Sequence, residues 1–461
     1  MNVRLLFFAA LVFISALSAC SDARKSPAQD AQIPLSIPEA PPKIVIYQLL
    51  PRLFSNTETT NKTYGTLAEN GVGKLNGITG DALKSLREFG ITHVWFTGVL
   101  EHATMTPFLR HVIPADDADV VKGRAGSPYA IKDYYDIAPS LAENPDNRMA
   151  EFEHLLQRTH GAGLKAIMDF VPNHVARNYH SDARPEGVRD LGQDDQTDVP
   201  YALHNNFYYL PDTRFKVPKD HNPLGAKKAP GEDRKFDESP AKVTGNNVYS
   251  ATPAVWDWFE TVKLNYGVEK SDSGDITHFD EHPATWQQMH DILHFWAKKG
   301  VDGFRCDMAE MVPVEFWAWV IPEIKRAFPD IIFIAEIYNP SIYANYVETG
   351  AFDYLYDKVG VYDAVRACMS GKGETRAITE ALDHSRNISN HMLRFLENHD
   401  EQRIASPEFA GDAWTAVPGM TVSALLGKGP VMLYFGQEHG ERGEGEEGFQ
   451  KADGRTTIFD Y

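Results

Sequence analysis

Residues 289–336 read MHDILHFWAKKGVDGFRCDMAEMVPVEFWAWVIPEIKRAFPDIIFIAE and show the clearest pattern of secondary structure in the chain. Apolar side chains recur at helical spacing up to Gly300, and again over residues 316–328. A short apolar run with the length of a buried strand follows each helical segment, at residues 303–307 and 331–336. Helices that alternate with buried strands are typical of a parallel sheet.

The same unit of strand and helix recurs from Lys43 onward. Strands are predicted at residues 44–50, 93–97, 165–170, 303–307, 331–336, 352–357, 392–395 and 431–435. Eight parallel strands are the number that a closed barrel of this type needs. The sequence therefore predicts the α/β class and a (β/α)₈ TIM barrel.

Residues 177–255 interrupt this alternation of strands and helices. They are rich in Asp, Asn, Pro and His and have no long helical period. A structureless loop of this length is unusual in a compact domain. We therefore expect an irregular subdomain inserted after the third strand, with the barrel formed by residues 43–176 and 256–461.

Carboxylates stand where several predicted strands end. Asp169 closes the third strand, Asp307 the fourth and Glu336 the fifth, and Asp400 follows the seventh. The carboxyl ends of barrel strands form the active site in this architecture. Several carboxylates at one barrel mouth indicate either a divalent metal site or acid/base chemistry on a glycosidic bond.

Four segments of the sequence distinguish between a metal site and acid/base chemistry on a glycosidic bond. They are DFVPNH at residues 169–174, GFRCD at 303–307, AE at 335–336 and FLENHD at 395–400. In this order they resemble the four signature regions of the α-amylase family, glycoside hydrolase family 13. Residues 77–97, 127–134 and 429–438 resemble further motifs of that family. Each motif alone is weak, but the ordered set is specific and covers the chain from about residue 43 to its end.

The resemblance implies a role for each carboxylate. Asp307 matches the nucleophile, Glu336 the general acid/base, and Asp400 the third carboxylate, which binds sugar hydroxyls. Arg305 lies two residues before Asp307 and therefore on the same strand face, where it can hold Asp307 ionised.

The resemblance also implies substrate contacts. His174 and His399 match residues that hydrogen-bond the sugar at the cleavage point, and Tyr129 matches the aromatic platform beneath it. We group these three with Arg305 as the predicted substrate-binding residues. Asp169 is expected to be structural and to orient Arg305.

Calcium is left open by the sequence. Asn173 matches a calcium ligand of the family, although members without calcium share this residue. Many α-amylases carry Lys-His three and four residues after the nucleophile, and that His contributes to the standard calcium site. Glu310 and Met311 stand there in this chain. The Asn-rich loop at residues 56–76 is an independent candidate for calcium.

The predicted function is a retaining glycoside hydrolase that cleaves α-glucosidic bonds of starch-type glucans, most simply an endo-acting α-amylase. Alternatives within the family are a maltodextrin α-glucosidase, a cyclomaltodextrinase and a transglycosylase. A non-catalytic glucan-binding lipoprotein is the alternative from another class, and the complete set of carboxylates argues against it. A net charge of −19, from 64 acidic and 45 basic residues, argues against nucleic acid as a partner.

The N-terminus predicts export and a lipid anchor. Arg4 precedes an apolar run at residues 5–17, which is too short to span a bilayer and fits a signal peptide. The run ends in Leu-Ser-Ala-Cys, which resembles a bacterial lipobox with Cys20 as the lipidated residue. Residues 1–20 are thus the expected signal peptide, and the Pro-rich residues 21–42 an extended tether. The expected location is the cell envelope, on the periplasmic or surface side, with the anchor as the one membrane contact.

The sequence ends soon after the eighth predicted strand. No helical pattern follows residues 431–435 to cover that strand, and no C-terminal β-domain of the kind the family usually carries. We therefore expect a truncated C-terminal end, with the last helix and the β-domain missing and with apolar surface exposed at the eighth strand.

Overall fold

The computed structural model describes residues 43–225, 229–443 and 453–461. Residues 43–461 form one compact unit. The predicted signal peptide, Cys20 and the tether lie outside the described residues. No helix in the described part of the chain is both long and apolar enough to cross a membrane.

Eight parallel strands form the centre of the fold. They are β1 (Val45–Leu49), β2 (His93–Phe96), β3 (Lys165–Phe170), β4 (Gly303–Cys306), β5 (Ile332–Ala335), β6 (Tyr354–Tyr356), β7 (Met392–Leu393) and β8 (Val431–Tyr434). Their order in the sheet is β7-β6-β5-β4-β3-β2-β1-β8. Arg394, directly after β7, forms a parallel bridge with Val431 of β8, so the two end strands meet. The predicted (β/α)₈ barrel is confirmed, and the strands lie within two residues of their predicted bounds.

Helices surround these strands. They are α1 (Gly80–Phe89), α2 (Arg148–Gly161), α3 (Ala284–Lys299), α4 (Val314–Ala327), α5 (Tyr343–Glu348), α6 (Asp363–Met369), α7 (Arg376–His384) and α8 (Val417–Leu425), with one-turn helices at Pro51–Phe54 and Leu67–Asn70. Local sequence determines where several of these helices begin and end. The Thr79 side chain accepts a hydrogen bond from the Ala82 N–H at the start of α1, and Gly90 ends that helix in a left-handed conformation. Gly300 ends α3 in the same way.

Side chains alternate between two layers of core along each barrel strand. Phe304 and Cys306 of β4 belong to the large cluster that the helices cover. Trp95, Ile334 and Tyr356 belong to a second cluster. Because side chains of a strand point alternately to opposite faces, Arg305 lies on the other face from Cys306. In register it is level with Asp169 of β3 and Ile334 of β5.

The predicted inserted stretch has little regular structure. Its described residues contain the strands Tyr209–Leu210 and Ala241–Lys242, which pair antiparallel. Directly after β3, His174–Ala176 pairs antiparallel with Thr261–Lys263. Two further antiparallel pairs are Leu100–His102 with Ile131–Ile137 and Val268–Glu269 with Ile276–Thr277. The domain boundaries at residues 176 and 255 stay predictions.

The eighth strand differs from expectation. Val431, Met432 and Tyr434 are buried, so the strand itself does not present the exposed apolar surface that was predicted. Residues 453–461 pack against loops near β1. Arg52 Nη1 donates to the carbonyl oxygen of Ile458 at 2.8 Å, and Asn70 Nδ2 donates to that of Tyr461 at 2.9 Å.

Candidate active site

The strand-end carboxylates meet in one cavity, as the parallel topology requires. Asp307 directly follows β4, Glu336 directly follows β5, and Asp400 lies in the loop after β7. These carboxylates line a cavity of about 370 Å³ together with Tyr129 and His174. Five residues that the sequence singled out are thereby brought together at the carboxyl end of the barrel.

Arg305 joins the carboxylates from below. Its Nη1 donates to Asp307 Oδ1 at 2.9 Å and to Asp169 Oδ1 at 3.3 Å. Its Nη2 forms an ion pair with Glu336 Oε1 at 2.8 Å. The Arg305 side chain is fully buried and does not line the cavity. The structure thus places this predicted substrate-binding residue where it holds the carboxylates in position.

Glu336 is fixed by two further donors. The backbone N–H of Met308 donates to its Oε2 at 2.8 Å, and the Tyr338 hydroxyl donates to its Oε1 at 2.7 Å. Since Met308 follows Asp307 directly, one hydrogen bond ties the loop after β4 to the carboxylate after β5. The two carboxyl groups are therefore held by the same short segment as well as by Arg305.

The surroundings raise the pKa of two carboxyl groups in this cluster, Asp307 and Asp169. Burial raises the pKa of Asp307, the nearby Glu336 carboxylate raises it further, and Arg305 opposes both effects. Burial likewise raises the pKa of Asp169 to about 6, again against the effect of Arg305. For Asp307 and Asp169, burial therefore favours the protonated form, and the charge of Arg305 favours the ionised form that a nucleophile needs.

His399 is a neutral donor behind the cavity wall. Gln48 Nε2 donates to its Nδ1 at 2.9 Å, which assigns the ring proton to Nε2. That nitrogen lies 2.5 Å from the Tyr129 hydroxyl and 3.1 Å from Asp400 Oδ2. Burial, and secondly the charge of Arg305, lower the pKa of His399 to about 3. The ring also stacks on Tyr129, with centroids 5.2 Å apart.

His174 lines the cavity beside Trp258, with ring centroids 5.4 Å apart. Burial lowers the pKa of His174 to about 3, so this ring is also neutral. Trp258, Tyr338 and Phe459 line the same cavity, and the sequence did not assign any of them to the site. Tyr338 lies two residues after Glu336, and this spacing was the available signal for it. No local pattern pointed to Phe459.

The predicted calcium ligand does not fit a metal ion. Asn173 Oδ1 accepts a hydrogen bond from the amino group of Lys263, and its Nδ2 donates to the carbonyl oxygen of Gly245 at 2.8 Å. Lys263 Nζ also donates to the carbonyl oxygen of Met311 at 2.8 Å. The two oxygens at the expected calcium position thus bind a nitrogen of the protein itself.

The Asn-rich loop uses its amide oxygens internally. Asn56 Oδ1 accepts from the backbone N–H of Glu58 at 3.2 Å, and Asn70 Oδ1 accepts from that of Lys62 at 2.9 Å. These hydrogen bonds shape the loop and give the amide oxygens of Asn56 and Asn70 donors within the chain. The candidate calcium site at residues 56–76 stays a prediction.

A separate acidic cluster lies among the loops after β2 and β3. The carboxylates of Glu101, Asp133, Asp136 and Asp182 approach within 4.8 Å of one another. Arg148 forms an ion pair with Asp136, and Lys132 Nζ lies 3.9 Å from Glu101 Oε1, so cations of the chain already balance part of this charge. The four carboxylates form a candidate metal site.

A TIM barrel with a pair of carboxylates close together at its carboxyl end fits the class of glycoside hydrolases. The family comparison is more specific. The family model described as "Alpha amylase, catalytic domain" matches residues 48–458. The chain belongs to the α-amylase family, glycoside hydrolase family 13.

Curated relatives share the family at low identity. An α-amylase of Streptomyces lividans is 25% identical over 419 residues, which cover 84% of this chain and 42% of the relative. Neopullulanase 2 of Thermoactinomyces vulgaris is 20% identical over 88% of this chain and 58% of its own length. The chain spans less than half the length of the Streptomyces relative.

Solved structures share the fold. An α-amylase of Lactobacillus plantarum is 22% identical, with a TM-score of 0.55 over 90% of this chain and 76% of its own. Cyclic α-maltosyl-(1→6)-maltose hydrolase of Arthrobacter globiformis, in complex with its named substrate, gives a TM-score of 0.58 at 16% identity, over 90% of this chain and 77% of its own.

Proposed function

We propose that the protein is an endo-acting α-amylase that hydrolyses α-glucosidic bonds of starch-type glucans with retention of the anomeric configuration. The observation that carries this proposal is the single guanidinium of Arg305 in contact with both Asp307 and Glu336. Retention requires a nucleophile and an acid/base that lie close together on either side of one glycosidic bond.

In the first step, Asp307 attacks the anomeric carbon while Glu336 gives its proton to the leaving glycosidic oxygen. A covalent glycosyl-enzyme forms and the aglycone departs. In the second step, Glu336 takes a proton from water, which attacks the anomeric carbon and releases Asp307. The hydrogen bonds from Met308 and Tyr338 keep Glu336 in one orientation through both steps.

The remaining residues bind and distort the sugar. Tyr129 supplies an aromatic face to the cavity, and His174 and Asp400 supply polar groups for sugar hydroxyls. His399 orients Tyr129 and Asp400 through its Nε2 proton. Because the His174 and His399 rings are neutral, they donate and accept hydrogen bonds without adding charge beside a cationic transition state.

The product profile on four substrates tests this proposal. We expect fast loss of iodine staining on starch with release of mixed maltooligosaccharides, and slow action on maltose. Asp307→Asn is the matched inactive control. Release of glucose from maltose at least as fast as hydrolysis of starch would indicate an α-glucosidase, and preferred cleavage of pullulan or cyclodextrin would favour the neopullulanase type that one relative represents. Either result would overturn the endo-amylase proposal.

We propose further that the protein is exported and held at the cell envelope by a lipid on Cys20. The lipobox-like residues 17–20 and the Pro-rich residues 21–42 support this proposal. A tether of this kind would hold the barrel away from the membrane surface, where a polymeric glucan can reach the cavity.

A further inference from the structure

Lys263 is a buried lysine in contact with the loop after the nucleophile. It ends the short strand Thr261–Lys263, which pairs with His174–Ala176, and only 6% of its surface is exposed. Its amino group donates to Asn173 Oδ1 and to the carbonyl oxygen of Met311. A lysine buried to this degree needs such acceptors, because an unpaired amine would be costly there.

Three separate segments meet at this amino group. Asn173 lies directly before His174 after β3, Met311 lies four residues after Asp307, and Lys263 comes from beyond the predicted inserted stretch. Amide and carbonyl oxygens are the ligands that calcium prefers, and they are also good acceptors for an amine. The same two oxygens can therefore be joined by a metal ion or by a lysine, but not by both.

We propose that the amino group of Lys263 takes the place of a metal ion between Asn173 and Met311, so that this junction holds the loop at residues 307–311 without calcium. The proposal concerns metal binding and loop position, and it does not depend on which glucan is the substrate.

The junction is coupled to the acid/base through short contacts. Glu310, next to Met311, accepts hydrogen bonds from the backbone N–H groups of Tyr338 at 3.3 Å and Asn339 at 3.0 Å. The hydroxyl of Tyr338 in turn donates to Glu336. Lys263 is therefore a positioning residue, which acts on Glu336 through Met311, Glu310 and Tyr338.

The surroundings of Lys263 allow this replacement to be tested. A cavity of about 350 Å³ is lined by Lys263, Glu310 and Met311, among other residues, so a metal ion in a variant has a path from solvent. Burial lowers the pKa of Lys263 to about 7. The charged and the neutral amine both have at least two N–H donors, so the two hydrogen bonds form in either state.

The first experiment counts bound calcium by isothermal titration after EDTA treatment and desalting. Wild type and Asn173→Ala are compared, and circular dichroism confirms that each is folded. We expect the two proteins to bind the same number of calcium ions, because Asn173 Oδ1 is occupied by Lys263. A loss of one calcium ion in Asn173→Ala would overturn the proposal, whatever is bound at the acidic cluster.

The second experiment replaces the amine by a carboxylate. Lys263→Asp should bind one calcium ion more than wild type, since a carboxylate then joins the amide and carbonyl oxygens. Without calcium its kcat should fall about ten- to a hundred-fold with a smaller change in KM, because a displaced loop moves Glu336. Added calcium should restore most of this loss.

Two controls complete the test. Lys263→Met, which has no donor and no carboxylate, should lose the same kcat without any response to calcium. Lys242→Asp places a carboxylate on a neighbouring short strand, where Lys242 Nζ contacts Arg177 rather than Asn173, and it should gain no calcium. A Lys263→Met variant with wild-type kcat, or a Lys263→Asp variant that calcium neither binds nor reactivates, would contradict the proposal.

Discussion

At the scale of single residues, the site depends on one buried arginine. Arg305 has no exposed side-chain surface and contacts Asp307, Asp169 and Glu336. Desolvation of a guanidinium is costly, and several carboxylates around it repay that cost through short charged contacts. Removal of one partner leaves the others unbalanced, so substitutions here change both charge and geometry. Neutral isosteres of the carboxylates are therefore the best probes.

The roles of Asp307 and Glu336 predict different responses to the leaving group. Glu336→Gln should lose about 10²–10⁴-fold in kcat on starch, the usual contribution of a general acid. On an α-glucosyl fluoride it should recover glycosylation, because fluoride leaves without a proton. Asp307→Asn should stay inactive on both substrates, because its carboxylate is the proposed nucleophile.

The measurement is the burst of fluoride release in a single turnover, with glucan binding as the control for correct folding. Equal recovery of both variants on the fluoride, or of neither, would contradict the assigned roles.

At the scale of elements, the loop that carries Tyr129 depends on Gly126. Gly126 has φ = +77°, and a Cβ at this position would lie 1.7 Å from the carbonyl oxygen of Ala103. The backbone must therefore move if any side chain is present, and Tyr129 lies only three residues further on. The hydrogen bond from Ala103 N–H to the carbonyl oxygen of Ala130, at 3.0 Å, closes this loop.

Gly126→Ala should consequently destabilise the protein by more than the roughly 1–2 kcal/mol that a left-handed alanine costs by itself. It should also raise KM, because Tyr129 moves. Gly187→Ala is the matched control, since Gly187 has φ = +82° and its Cβ would meet nothing within 4 Å. Urea denaturation of both variants measures the difference. Equal midpoints for the two would show that the close approach to Ala103 does not matter.

The elements also show what the sequence can and cannot predict. The strands followed from short runs rich in apolar residues, four to seven residues long, and their parallel order then brought Asp307 and Glu336 together. Contacts between distant segments carry no such periodic signal. The hydrogen bond of Lys263 to Asn173 spans 90 positions, and Phe459 reaches the cavity from the far end of the sequence. Neither was predictable without the fold.

At the scale of the whole molecule, buried carboxyls link stability to pH. Burial, partly offset by Lys132 and increased by Asp136, raises the pKa of Glu101 to about 8 from an ordinary value of 4.5. Between these two values the folded protein binds more protons than the unfolded chain, so this group makes stability fall as pH rises. Below pH 4.5 its contribution is fully present, and it is lost as pH rises through about 8.

Glu101→Gln should remove this decrease of stability with rising pH. Its stability relative to wild type should increase between pH 5 and pH 8 by at most about 1.4 kcal/mol per pH unit. Urea denaturation in EDTA at several pH values measures the difference, and Glu380→Gln is the control, because that side chain is 64% exposed and paired with Arg376. Parallel stability curves for Glu101→Gln and wild type would contradict the assignment.

The proposed lipid anchor at Cys20 determines where the whole protein is located in the cell. Cys20→Ala should move the protein from the membrane to the soluble fraction, because a lipidated cysteine is the proposed attachment. Fractionation of cells that express the two forms is the measurement. Identical fractionation would exclude lipidation at Cys20 as the means of attachment.

If Asp307 and Glu336 act as a retaining pair, the first product keeps the α-configuration, and its anomeric form can be measured. Retaining enzymes hold their carboxyl groups about 5–5.5 Å apart and inverting enzymes about 6.5–9.5 Å apart. Contact of both groups with one guanidinium favours the closer spacing. Proton NMR during the first minutes of maltooligosaccharide hydrolysis should therefore show the α-anomer before mutarotation. Initial release of the β-anomer would show inversion and contradict the assignment of Asp307 as nucleophile.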